Sequence, residues 1–219
     1  MRQTLRSTLH RAAKVLRSEG VRSLGFRILG DTVYRRMILV ERHLHEPVVE
    51  AQAGIPVTVT VLHENELDEY LAFRPTAVAA EIRSRLEKGY KCFVARQDKE
   101  IASACWAAIG SARIDYLGCE IRLADDEAYI FESYTAPRFR NINVAAARGN
   151  EMVRHFRDRG YSRFIGALMP ENKAAFRPAE KVGYRRFGVI GYVKVGPWRR
   201  FFCRVSDRAR PIVIHQRAE

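Results

Sequence analysis

The chain lacks the short motifs that mark several large enzyme classes. It has no G-x-S-x-G, no H-E-x-x-H and no Walker loop, so nothing in it indicates an α/β-hydrolase, a zinc protease or a P-loop nucleotidase. Its four cysteines stand far apart without a C-x-x-C pair, which is typical of reduced, buried thiols. Glu151 and His155 have metal-ligand spacing, but no further ligand cluster accompanies them. We therefore expect neither a disulfide framework nor a metal ion.

Long apolar runs are also missing. No stretch approaches the roughly 20 apolar residues that span a bilayer, and the N-terminus lacks the apolar region of a secretory signal. These absences predict a cytoplasmic protein. With 219 residues and 47% hydrophobic content, the chain is sized for one domain with an appendage.

Negative charge is scarce, because 25 acidic residues face 38 lysines and arginines, which leaves a formal charge of +13. Such a surplus attracts polyanions, among them cofactor phosphates, nucleotide-linked substrates, nucleic acid and anionic membranes. The arginines are scattered, and no basic nucleic-acid motif or exposed aromatic platform is evident. Nucleic acid is therefore the least favoured of these partners.

Residues 1–46 differ in pattern from the rest of the chain. One apolar stripe at helical spacing begins at Leu5, and a second begins at Phe26 and ends at Leu44, with arginines between the apolar positions. This pattern predicts a basic amphipathic helical arm, joined by a linker that ends at residue 54. Two interpretations stay open: the arm lies on an anionic membrane, giving peripheral localisation, or it packs on its own sheet or on a second subunit of a homodimer.

The best-defined unit of the chain is a strand, a polar turn and a helix. The aromatic and β-branched run Tyr129–Thr135 predicts the strand, and Pro137 ends it. From Ile142 apolar residues recur at helical spacing until Gly160, a C-cap glycine. A turn that leads into a helix presents unpaired N–H groups at the positive end of the helix dipole, so this turn is a candidate anion cradle.

Two motifs around this unit resemble those of the GNAT N-acetyltransferase superfamily. The segment Arg140–Ala145 is similar to the R-x-x-G-x-A pyrophosphate loop, and Asn172–Tyr184 is similar to the N-x-x-A-x-R-x-x-E-K-x-G-[FY] segment. One departure is Asn143, which replaces the central glycine. Asparagine keeps its N–H and tolerates unusual backbone angles, but it adds a Cβ where a phosphate approaches.

The resemblance implies an α/β (α+β) fold: a mixed, mostly antiparallel sheet flanked by helices, splayed beside Thr135. It assigns residues 55–205 to the acetyltransferase domain and leaves 206–219 as a polar tail. The order of predicted elements agrees with this, since a strand at 57–62 and two helices precede a hairpin and the central unit. Pro178 predicts a kink in the last helix, or a start near Arg177.

The resemblance also implies acetyl-CoA as the cosubstrate. Its pantetheine is expected along Tyr134 and Thr135, with Asn172 near the thioester arm. Its pyrophosphate is expected on the backbone of the cradle residues Arg140, Asn141, Ile142, Asn143, Val144 and Ala145.

Acyl transfer to an amine needs a base for the ammonium proton, an oxyanion donor and an acid for the thiolate. The resemblance places the oxyanion donor near Tyr134 or Thr135. It puts Ala179 where many members have the tyrosine acid, so Tyr134 and Tyr192 are the acid candidates. Glu132 is the candidate base, because burial in an apolar strand would raise its pKa, and Glu127 is the reserve.

These observations predict an acetyl-CoA-dependent N-acetyltransferase that acts on a primary amine of a small molecule. An amino sugar of a cell-surface polysaccharide pathway is one option for the acceptor. The alternative is a basic binding module for an anionic membrane or nucleic acid on a degenerate acetyltransferase scaffold. That alternative draws on the charge, on Asn143 and on Ala179.

Overall fold

The computed structural model of the protein describes residues 33–48, 50–196, 198–206, 210 and 212–215. Within these residues eight strands form one large sheet, and three strands form a small one. The strands are β1 (Tyr34–His43), β2 (Thr58–Val61), β3 (Lys91–Gln97), β4 (Glu100–Ile109), β5 (Ser111–Ile114), β6 (Cys119–Arg122), β7 (Glu127–Thr135), β8 (Arg163–Leu168), β9 (Arg185–Val195), β10 (Trp198–Val205) and β11 (Val213–His215). The helices are α1 (Leu67–Phe73), α2 (Ala79–Glu87), α3 (Val144–Arg157) and α4 (Lys173–Lys181).

The large sheet has the strand order β10-β9-β1-β8-β7-β4-β3-β2. Its neighbouring strands pair antiparallel, except that β7 and β8 run parallel. The predicted mixed, mostly antiparallel sheet flanked by helices is therefore confirmed. No helix among the described residues has the length and apolar character needed to cross a bilayer.

Strand β1 corrects the prediction of a helical arm over residues 1–46. Tyr34–His43 is not a helix but a central strand, hydrogen-bonded to β8 on one side and β9 on the other. Its register against β9 shifts between Leu39 and Val40, where β9 carries one extra residue, Phe187, while its pairing with β8 is continuous. Both faces of the sheet are covered, and Leu39, Val40 and Leu44 are all buried, which imitates a helical stripe.

The predicted domain boundary at residue 54 is consequently wrong for Tyr34–His43, which belongs to the sheet. Predictions that concern residues 1–32, including contact with a membrane or a second subunit, lie outside the described residues. At the other end, the predicted polar tail contributes Val213–His215, which pairs antiparallel with β6. The small sheet β11-β6-β5 has no counterpart in the sequence prediction.

The two faces of the large sheet have different coverings. On the front face, Tyr70 and Ile82 of α1 and α2 pack with Trp106, while the small sheet covers the part beside β1, β8 and β9. On the back face, α3 packs on β3, β4 and β7, with Phe156 against Phe93 and Phe164. Helix α4 starts at Lys173, so Pro178 lies within it, and the alternative start near Arg177 is wrong.

The sheet opens between β7 and β8. Their parallel pairing joins Glu127–Ile130 to Arg163–Gly166, whereas β7 continues to Thr135 and β8 to Leu168. The strands therefore diverge beyond Ile130. We call this opening the splay.

Candidate active site

The loop between β7 and α3 has the backbone of an anion cradle. Asn141 and Asn143 both adopt left-handed conformations, with φ of 64° and 60°. Helix α3 begins at Val144, and the Asn143 side chain makes no capping hydrogen bond to it. The first N–H groups of a helix have no partner within the helix, so those of α3 remain available to an anion at the positive end of its dipole.

The segment before β2 holds this loop from one side. The Gly54 N–H donates to the Ile142 carbonyl at 2.8 Å, and Asn143 Nδ2 donates to the Gln52 carbonyl at 3.4 Å. A Cβ on Gly54 would meet Ile142 Cβ at 3.3 Å, so the close approach favours glycine. A cavity of about 480 Å³ lies between this segment and α3.

The two arginines of the turn have different partners. Arg138 forms an ion pair with Glu100. Arg140 Nε donates to the Thr135 carbonyl at 3.1 Å, and its guanidinium carbon lies 5.9 Å from the centre of the Tyr134 ring. Arg140 therefore places its charge between the end of β7 and the cradle.

Strand β7 contains a bulge where it borders the splay. Opposite β4, Ala104 pairs with Tyr134 and Trp106 with Phe131, so two residues of β7 face one of β4. Glu132, one of those two, has a φ of 48°. This bulge redirects the strand at the place where the sheet opens.

Glu132 is exposed, and the expected burial of its carboxylate is wrong. Its side chain is 38% exposed, and both oxygens accept from Arg85 of α2, at 2.8 Å and 2.6 Å. The Arg85 guanidinium also lies over the rings of Trp106 and Phe131. Burial disfavours the charged form of Arg85, but the hydrogen bond and charge of Glu132 outweigh this effect and raise its pKa.

The other candidate acids and bases are spread over the sheet. Tyr134 lies at the splay, with Phe73 edge-on at 5.3 Å and the Arg74 guanidinium carbon 4.3 Å from its ring centre. Tyr192 is buried on β9, three strand positions from β7, which is about 14 Å at the usual strand spacing. Glu127 is buried at the other end of β7, 3.5 Å from Arg163. The structure therefore brings Glu132 and Tyr134 to the splay, but neither Tyr192 nor Glu127.

Asn172 lies just beyond β8, on the opposite side of the splay from Thr135. It precedes α4, its N–H donates to the Met169 carbonyl, and its carbonyl accepts from Ala175. The structure thus places Asn172 at the same end of the sheet as Tyr134 and Thr135.

Cys105 is the β4 residue opposite the bulge. Its side chain is buried, and burial raises the pKa of its thiol. A thiol needs an environment that favours its thiolate to act as a nucleophile. The buried Cys105 thiol does not have that environment.

Three functional candidates were missed by the sequence analysis: Arg85, Ser103 and Arg148. Arg85 and Ser103 contact β7 only through tertiary structure. Arg148 did leave a signal, because it stands four residues from Val144 and from Met152 on the buried stripe of α3. A charged residue in an apolar stripe indicates a special environment.

A parallel strand pair that opens toward an uncapped helix start is the arrangement expected from the resemblance to acyltransferases of this fold. The chain belongs to the acetyltransferase (GNAT) family, whose family model matches residues 59–184. No curated protein sequence matches the chain significantly.

Two solved structures share this fold at low sequence identity, and a third is similar with a TM-score below 0.5. A GCN5-related N-acetyltransferase from Sphaerobacter thermophilus has a TM-score of 0.52 and 12% identity over 76% of this chain and 54% of its own. The glucosamine N-acetyltransferase region of a fungal multi-domain GH3 β-N-acetylglucosaminidase has a TM-score of 0.51 and 12% identity over 76% of this chain and 22% of its own. A GNAT-family protein of Novosphingobium aromaticivorans has a TM-score of 0.49 and 18% identity, and the match covers 72% of this chain and 63% of that protein.

Proposed function

We propose that the protein is an acetyl-CoA-dependent N-acetyltransferase that acts on a primary amine of a small molecule. The observation that carries the proposal is the uncapped start of α3, which adjoins the splay between β7 and β8. Acetyl-CoA supplies an activated acetyl group on a pyrophosphate-bearing carrier, so its binding site must offer an anion cradle beside a narrow cleft.

The cradle fits a pyrophosphate although Asn143 replaces a glycine. Asn143 already adopts the left-handed conformation that the turn requires, so the substitution does not change the path of the backbone. Its side chain is turned toward the Gln52 carbonyl and makes no hydrogen bond to the N–H groups of α3. Those N–H groups, together with Arg140, would hold the phosphates.

The splay fits an amide-containing arm. Beyond Ile130, β7 stays paired with β4 but has no pairing to β8. Neighbouring residues of a strand turn their backbone groups to opposite edges, and the Tyr134 carbonyl accepts from Ser103 of β4, so the backbone groups of Thr135 border the cleft. An extended pantetheine could pair with them as an added strand would, with Asn172 on the far side.

For the proton transfers we propose Glu132 as base and Tyr134 as acid. Both oxygens of Glu132 are engaged by Arg85, so the carboxylate must give up one of these hydrogen bonds to take a proton from an ammonium group. Glu132 and Arg85 are thus one functional unit. Many family members have the tyrosine acid at the position of Ala179. We propose that Tyr134, which lies at the splay, takes that role here.

The charge of the chain favours an anionic acceptor. A formal charge of +13 attracts nucleotide-linked amines and repels polyamines. We therefore propose a nucleotide-linked amino sugar of a cell-surface polysaccharide pathway as the acceptor, in a cytoplasmic enzyme.

The test is a thiol-release assay with acetyl-CoA and a panel of amines: nucleotide-linked amino sugars, free hexosamines, aminoglycosides, peptides and polyamines. Turnover of a nucleotide-linked amino sugar supports the full proposal, and turnover of another class corrects the acceptor only. Calorimetry with CoA at moderate salt runs alongside. Absence of CoA binding, with salt-sensitive binding to random DNA or anionic liposomes, would favour the binding-module alternative.

A further inference from the structure

Arg148 is a buried cation in the back face of the sheet. It projects from α3, is 3% exposed, and reaches the place where β4 borders the bulge of β7. Long basic side chains are rarely buried unless a carboxylate pairs with them. The burial of Arg148 therefore requires an explanation.

Its hydrogen-bond partners are all neutral. Nη1 donates to the Ser103 hydroxyl and, at 2.6 Å, to the Ala104 carbonyl, while Nη2 donates to the Ser133 hydroxyl at 2.8 Å. Nε is buried and has no partner. No ion pair joins Arg148 to a carboxylate in the part of the chain that the structure describes. The fold thus keeps a desolvated positive charge without a counter-charge, which does not favour stability.

The hydrogen-bond partners of Arg148 lie at the bulge of β7. Ser133 is one of the two β7 residues opposite Cys105, and Ser103 lies on the other strand. The Ser103 hydroxyl also contacts the Tyr134 carbonyl at 3.0 Å and the Thr135 hydroxyl at 2.9 Å. One guanidinium therefore connects the bulge to the segment that borders the splay.

We propose that Arg148 is a positioning residue that sets the bulge of β7, so that the backbone at Thr135 faces the splay. The inference rests on the proposed function, because it assigns the purpose of that backbone to the acetyl donor. The planar fork of arginine reaches both strands at once, through Nη1 to β4 and Nη2 to β7. A lysine has one nitrogen and cannot bridge the same two strands in this way.

The test compares Arg148→Met, Arg148→Lys and Ser133→Ala with the wild type. Arg154→Met is the matched control, because Arg154 lies on the same helix but forms an exposed ion pair with Glu50. Four quantities are measured: the thermal midpoint, the CoA dissociation constant, kcat with KM, and amide hydrogen exchange of residues 131–135 in the free protein.

We expect Arg148→Met to keep its thermal midpoint but to bind CoA more weakly, because the pantetheine is proposed to pair with the backbone that this variant displaces. Its kcat should fall about 10²-fold, the cost of a reacting group displaced by about 1 Å. The kcat of Arg148→Lys should fall nearly as far, and that of Ser133→Ala by about tenfold, because one contact is lost. The kcat of Arg154→Met should match that of the wild type. Exchange at residues 131–135 should rise in the three test variants alone.

Unchanged exchange at residues 131–135 in Arg148→Lys and Ser133→Ala overturns the inference, whether or not the protein binds CoA. Unchanged kcat with raised exchange also overturns it, because the geometry of the bulge would not matter for transfer. If the wild type binds no CoA, the proposed function fails, while the exchange data still decide whether Arg148 sets the bulge. If Arg148→Met does not fold, the other two variants carry the test.

Discussion

Arg85 and Glu132 form a two-pronged ion pair across the front of the bulge, with nitrogen-to-oxygen distances of 2.8 Å and 2.6 Å. The pair joins α2 to the one residue of β7 with a left-handed backbone. Helices α1 and α2 cover this side of the sheet, whereas α3 and the cradle lie on the other. An acceptor that enters between α2 and β7 would therefore meet the pair at the bulge.

The first prediction is that Glu132→Gln lowers kcat by about 10²-fold at neutral pH, the usual worth of a general base. The loss should shrink as the pH rises, because the acceptor amine then loses its proton to water. Steady-state rates from neutral to alkaline pH measure this. A loss that is independent of pH would assign Glu132 to structure.

The second prediction concerns Arg85, the ion-pair partner of Glu132. Arg85→Met frees both oxygens of Glu132, so it should change the pH dependence of kcat, and it should have no further effect when combined with Glu132→Gln. Arg83→Met is the control, because Arg83 is an exposed residue of the same helix. If the fold-losses in kcat of the two single variants multiply in the double variant, Arg85 and Glu132 act separately.

The third prediction tests the cradle at Asn143, whose φ is 60°. Asn143→Gly should preserve or tighten CoA binding, because glycine adopts this conformation freely. Asn143→Val should weaken it strongly, since a β-branched residue is strained there by about 1–3 kcal/mol. Calorimetry with CoA gives the affinities, and Asp98→Gly is the control because Asp98 also has a positive φ but lies in the turn between β3 and β4. Equal CoA affinity in every Asn143 form would locate the phosphates elsewhere.

The sequence sufficed for the elements whose pattern is local. The strand at Tyr129–Thr135 and the helix that follows were predicted because aromatic alternation, a proline and helical spacing are all contained in one short stretch. The motif in the turn before this helix also indicated the family. Strands β5 and β6 have only four residues each, too few for a periodic signal.

The missed features depend on distant contacts. Strand β1 imitates a helical stripe because both faces of the sheet are covered, so consecutive positions such as Leu39 and Val40 are both buried. Arg85 meets Glu132 across 47 positions, and Arg148 meets Ser103 across 45. The predicted burial of Glu132 failed for the same reason, since the bulge turns its side chain out of the strand's alternation. No local pattern encodes such pairings.

The fourth prediction concerns acid stability. The hydrogen bond from Arg210, followed by that of the Ser162 hydroxyl, holds the pKa of Asp126 below its usual value of 3.8. Its stabilising contribution is therefore fully present above pH 4 and is lost as the pH falls through the lowered pKa. Asp126→Asn should reduce stability at neutral pH and remove part of the loss on acidification. Thermal midpoints between pH 7 and pH 3 check this, with Asp125→Asn as the neighbouring control.

The fifth prediction separates the strand β1 from the residues that precede it. A protein that begins at Ala51 loses a strand that is hydrogen-bonded to both β8 and β9, along with the fully buried Leu39 and Leu44. Each buried leucine removed costs about 1.5–3 kcal/mol of hydrophobic free energy, and two rows of backbone groups lose their partners. We expect this protein to aggregate or to remain unfolded, as circular dichroism and size-exclusion chromatography would show.

A protein that lacks only residues 1–32 keeps β1 and should fold. The residues before β1, which carry the stripe that begins at Leu5 and the start of the one that begins at Phe26, are then tested apart from β1, by sedimentation with anionic liposomes at low and high salt. If the shortened protein binds CoA and the full chain alone sediments at low salt, these residues contact the membrane, because each basic residue near an anionic surface contributes about 1 kcal/mol that salt screens. If neither protein sediments and the shortened one changes its oligomeric state, these residues pack on protein instead. A folded, active protein that begins at Ala51 would contradict the role of β1 as a central strand.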